Sequence, residues 1–71
     1  MDERELGRAI DRFLRTVPEK QCSLFLRRYW YAESIAQIAG RYAMKENTVK
    51  SMLFRTREQL RAFLQKEGIA V

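Results

Sequence analysis

Apolar residues recur at steps of three and four along most of the chain, which is the spacing of one buried face on a helix. Leu6, Ile10, Phe13, Leu14 and Val17 form the first such series, with Arg4, Arg8, Asp11, Arg12 and Arg15 between them. The pattern predicts a helix over about residues 3–16, weakened slightly by Gly7. Pro18 then disfavours helical backbone at Val17 and suits the first position of a new helix. Glu19 follows in the first turn, where the helix dipole favours an acid. Cys22, Phe25, Leu26 and Tyr29 mark the expected buried stripe of this second helix. Leu24 and Trp30 widen it, and Trp30 is expected in or partly in the core. Tyr31 is a candidate exposed residue.

Ser34 stands three residues before Gln37, the spacing of a capping box. Ile35, Ile38, Ala39 and Tyr42 continue with helical spacing, so a short third helix is expected over about 35–42. Ala43, Met44 and Lys45 break the pattern. A last helix is predicted from about Glu46 to about Lys66, with Gly68 as a stop. No strand-like alternation occurs anywhere. The expected fold is all-α, a four-helix domain over residues 1–71 whose short third helix, tight turn and longer fourth helix form a helix-turn-helix at about 34–57.

Projected at about 100° per residue, Val49, Leu53, Thr56, Leu60 and Phe63 fall within roughly 40° of one another and form the core stripe of the last helix. Met52 lies at its margin. Asn47, Lys50, Ser51, Phe54, Arg55 and Glu58 occupy the opposite face, joined further along by Arg61. An isolated apolar residue on a surface is ordinary, but Phe54 is surrounded by Lys50, Ser51 and Arg55. Basic and small polar groups around an exposed ring match the edges of base pairs in a major groove. Lys and Arg bond guanine acceptors or phosphates, and the ring lies against a thymine methyl. Asn47 and Thr48 sit at the helix start, where phosphate oxygens meet backbone N–H groups and the helix dipole.

Charge sharpens this picture. The 71 residues carry a net charge of +5. Residues 1–40 hold seven basic and six acidic side chains, and residues 41–71 hold seven and three. The excess therefore lies in the segment that carries the last helix, as expected for a polyanionic partner. The remaining chemistry is sparse. There is no His and only one Cys. Cys/His metal sites and His-based acid–base mechanisms are excluded, and no nucleophile, base and orienting group come together. No cofactor and no enzymatic activity are expected. Cys22 reads as a small core residue, and nothing implies an oxidising compartment. No apolar run approaches the roughly 18 residues needed to span a bilayer, and the acidic start is not a signal peptide. The expectation is a cytoplasmic, monomeric domain without membrane contact.

With Pro18–Gln21, Phe25–Tyr29, Ser34, Ile38-Ala39 and above all the run from Met44 to Arg57 in view, the sequence resembles the C-terminal region 4 of bacterial sigma factors. The resemblance is strongest to the small extracytoplasmic-function type. It is gapless from about Val17 to Leu64, and its most specific part is Thr48–Arg57. It implies a domain that puts its last helix into the major groove of the promoter −35 element during transcription initiation. It also implies docking on the flap of the RNA polymerase β subunit, and it admits an anti-sigma factor as a further partner. The base-reading places fall on Lys50, Ser51, Phe54 and Arg55. The phosphate-contacting places fall on Glu46, Asn47 and Thr48, with Lys45 and Arg57 as further phosphate candidates.

The sequence departs from the family pattern at three positions. Ala43 stands where a turn Gly is common, Lys45 replaces a Ser N-cap, and Met52 replaces a frequent Arg. A complete sigma factor also needs a domain for the −10 element, which 71 residues cannot hold. The chain is expected to be the C-terminal domain of a longer protein, with a stand-alone adaptor or decoy as the alternative. Such a module would bind the polymerase flap or an anti-sigma protein.

Overall fold

The computed structural model describes residues 2 to 69. Four helices follow one another: α1 (Glu3–Leu14), α2 (Glu19–Tyr29), α3 (Ile35–Tyr42) and α4 (Glu46–Lys66), with no strand among the described residues. The two carboxy-terminal helices have the bounds expected from periodicity. The first ends earlier than expected, at Leu14, where Arg15 caps it and the Thr16 hydroxyl donates to the Phe13 carbonyl at 2.7 Å. Pro18 is the N-cap of α2 rather than its first helical residue. Its lack of an N–H costs nothing there, because that N–H would have no helical partner.

The ends of the helices explain the turns between them. The Asp2 carboxylate accepts from the Glu5 N–H at 2.9 Å and caps α1. Ser34 and Gln37 form the complete capping box, with reciprocal bonds of 3.0 and 2.8 Å. At the far end of α3, Ala43 adopts φ 54°, ψ 45°, and the Met44 N–H returns to the Ala39 carbonyl at 2.9 Å. This is the left-handed helix termination that Gly usually supplies. The turn thus keeps its geometry with Ala in place, at the steric cost of a Cβ in left-handed backbone. The end of α4 uses the same device with Gly68 at φ 79°. The Gly68 N–H bonds Gln65 at 3.0 Å and the Ile69 N–H bonds Leu64 at 2.8 Å.

The main core lies under the helix-turn-helix. Leu24 of α2, Ile38 and Ala39 of α3, and Val49 and Leu53 of α4 are buried together, with Ile35, Tyr42, Met44 and Met52 packed against them. Thr56 is fully buried on the same stripe and satisfies its hydroxyl on the Met52 carbonyl at 2.8 Å. The carboxy-terminal half of α4 packs on α1, where the Phe13 and Phe63 rings meet at 5.6 Å and Arg12 pairs with Glu67 at 2.6 Å. Leu60 and Phe63 are only half-buried, while Leu64 beside them is buried. Ala9, with no prominence in the sequence pattern, is fully buried.

Two expected core aromatics are not in the core. Tyr29 is 48% exposed and Trp30 is 78% exposed, while Tyr31 is exposed as expected. The reason is local. α2 stops at Tyr29, so Trp30 is its C-cap and no longer follows the buried stripe. The chain then turns through Ala32 at φ 56°. Tyr29 packs one face on Phe25, with ring centroids 4.8 Å apart, and leaves the remainder open.

Candidate nucleic-acid interface

α4 is held from three sides, by α1, α2 and α3, so the face opposite its core stripe is a fixed platform. Phe54 is 58% exposed on this face, as the projection predicts. Lys50, Ser51, Phe54 and Arg55 line one shallow depression together with Glu58, Gln59 and Ala62. All four predicted base-reading residues are therefore brought together. Among the described residues, Lys50 and Arg55 take part in no ion pair. Both charges are free to meet a ligand. The acid that lines this depression, Glu58, lies 3.9 Å from Arg61, a long and solvent-exposed pair.

The start of α4 forms a second depression. Lys45, Glu46, Asn47 and Lys50 line it on one side, and Ala36, Ala39, Gly40 and Met44 on the other. Lys45 is the N-cap and makes no capping bond with its side chain. The first-turn N–H groups of Glu46, Asn47 and Thr48 therefore have no side-chain acceptor from the cap position, and helices leave these donors unpaired in any case. Glu46 in the first turn complements the dipole. The small side chains of α3 keep this approach open.

A third depression adds Arg28, which periodicity did not single out, beside residues that it placed on buried stripes. Arg28 and Tyr29 of α2 and Ile35 of α3 lie beside Lys50, Phe54 and Arg57 of α4. Arg28 belongs to the site by tertiary placement alone. The only sequence signal was its membership of the Phe25–Tyr29 run. The corner that delivers it is rigidly paired. The Arg28 guanidinium donates to the Glu33 carbonyl at 3.0 Å, and the Glu33 carboxylate accepts from Arg41 at 2.8 and 3.3 Å and from Arg27 at 3.5 Å. Arg27 also lies 5.0 Å over the Tyr31 ring. Hydrogen bonding to the Tyr42 side chain is the largest influence raising the Arg27 pKa, with Glu33 acting in the same direction. An arginine is charged at every working pH, so this cluster adds no pH dependence.

The predicted site thus divides into a reading face, a helix-start depression and a flank shared with α2. Residues 7–60 match the family described as Sigma-70, region 4. The chain belongs to that family. Sigma-70 region 4 domains bind DNA and interact with RNA polymerase, and they are transcription-factor domains rather than enzymes. No curated protein matches the chain. The matched span of this region 4 chain contains every predicted site residue, from Lys45 to Arg57. It ends before the last turn of α4. Among the described residues no helix is long and apolar enough to cross a membrane.

Proposed function

We propose that this chain recognises the promoter −35 element as part of a bacterial sigma factor, with the amino-terminal half of α4 in the major groove. The observation that carries the proposal is the cluster of Lys50, Ser51, Phe54 and Arg55, exposed on a helix whose other sides are packed. Lys50 and Arg55 supply donors for guanine N7 and O6, Ser51 bonds either kind of base edge, and Phe54 covers a thymine methyl. Lys45, Asn47, Thr48 and Arg57 hold the flanking phosphates. Glu46 contributes its backbone N–H, since its carboxylate repels a phosphate. These contacts position the helix, while the four central side chains read sequence. On this reading the domain works alongside RNA polymerase in the bacterial cytoplasm.

The direct measurement is a titration on a panel of −35-like duplexes against scrambled duplexes of equal length at one fixed salt concentration. Tighter binding to a subset of the panel supports the proposal. Equal affinity throughout removes it, because the basic face alone binds any duplex.

A second surface favours the polymerase contact within the same proposal. Ile10, Leu14, Phe25, Leu26, Tyr29 and Trp30 line a mainly apolar groove between α1 and α2. Exposed apolar surface of this kind is characteristic of protein contacts, and the β-flap is the partner proposed for it. An adaptor or decoy would use this groove without reading DNA. Capture of a β-flap fragment by the chain, with and without duplex present, separates the two. Flap binding in the absence of any sequence preference for DNA favours the adaptor.

A further inference from the structure

Gln21 is one of two buried polar side chains among the described residues, at 9% exposure. The other, Thr56, satisfies itself within its own helix. Gln21 instead reaches from α2 to α4, where its Nε2 donates to Oε1 of Gln59. A buried amide is costly unless bonded, and an apolar residue would serve the core at this position without that requirement. What the bond accomplishes is on the surface. Gln59 is exposed, lines the same depression as Lys50, Ser51, Phe54 and Arg55, and lies one turn beyond Arg55. With Oε1 engaged toward α2, its NH2 end is turned away from α2.

We propose that Gln59 is a DNA-backbone contact and that Gln21 is its positioning residue, an inference that rests on α4 being the DNA-binding helix. Position decides for phosphate over base. An α-helix with its side chains is about 10–12 Å across, close to the roughly 12 Å width of the major groove. Outward side chains of the amino-terminal half, which enters the groove, reach base edges; a side chain beyond it and at the margin of the face meets the flanking strand. Gln59 projects about 80° from the core stripe, on the side opposite Lys50 and next to α2. An outward amide NH2 at that margin donates to a phosphate oxygen. Holding it in advance removes part of the ordering cost on binding.

The test compares binding of the full chain to a −35-like duplex and a scrambled duplex, beside thermal melts of each variant. Gln59→Met removes the donor and is expected to weaken binding about fivefold on both duplexes, leaving their ratio unchanged. Gln59→Glu keeps an acceptor for Gln21, melts no lower than the parent, and weakens binding more than Gln65→Glu, which makes the same charge change in the last turn of α4. Gln21→Met fills the same space, frees Gln59, and weakens binding about threefold without lowering the melting temperature. Parental affinity in Gln59→Met, or equal effects of the two Glu variants, overturns the proposal and leaves the pair as a strut between helices. A loss confined to one duplex overturns the phosphate assignment. Failure of the parent chain to bind either duplex defeats the reading of α4 itself, a result distinct from any of these.

Discussion

Arg55 is the residue from which most is expected. It is exposed, in no ion pair among the described residues, and one position from the exposed Phe54 ring. A bidentate arginine–guanine contact discriminates by about 1–3 kcal/mol. Arg55→Ala is therefore expected to weaken the preferred duplex by that amount and to relax preference at one base pair, read out by titration on single-position variants. A uniform loss on all sequences would make it a phosphate contact instead. Lys45 presents the opposite case, a residue proposed to serve DNA binding against local stability. It caps α4 without a side-chain bond and places a positive charge at the positive end of the helix dipole. Lys45→Ser is expected to raise stability by about 1 kcal/mol in thermal unfolding, and to weaken DNA binding by losing a phosphate partner.

Each helix is shaped by how it begins and ends. α3 has only eight residues and stands because Ser34 and Gln37 close its start and Ala43 turns its end, so that Ile38 and Ala39 reach the core. So short a helix is not stable alone; its packing against α2 and α4 holds it. Ile38 is fully buried at that contact. Ile38→Ala is expected to cost about 2–5 kcal/mol in chemical denaturation, enough to lose the domain at marginal total stability. α4 is legible from sequence over its whole length, because its apolar stripe, its dipole-compatible first turn and Gly68 agree with one another. α2 is less so. Its stripe continues through Tyr29 and Trp30 in sequence, but the helix ends there and the expected burial of both rings does not occur.

At the scale of the molecule, two surfaces of different chemistry share one small core. The α4 face is basic, and the α1–α2 groove is apolar with Trp30 exposed at its edge. Tyr29 lines both the groove and the α2 flank of the candidate interface. Trp30→Ala is expected to leave DNA affinity within about twofold and the fold intact, since an exposed residue contributes little to stability. The same change is expected to reduce capture of a β-flap fragment by about 2 kcal/mol, the scale of an aromatic hot spot. Loss of DNA binding with retained flap capture would reverse the assignment of the two surfaces.

The sequence alone determined the number of helices, the bounds of the last two, the capping box and the outward face of α4. These follow from periodicity and caps, which act within a few residues of themselves. It also carried the family pattern on Thr48–Arg57. Only the tertiary structure decided that Arg28 lies beside Lys50 and Phe54, that Tyr29 and Trp30 are exposed, and that Gln21 reaches Gln59. Each depends on where one helix stops against another, and no spacing along a single helix encodes the distance between residues 38 positions apart. Ala43 lies between the two cases: its place in a turn is readable, and the structure adds that Ala itself takes the left-handed backbone there.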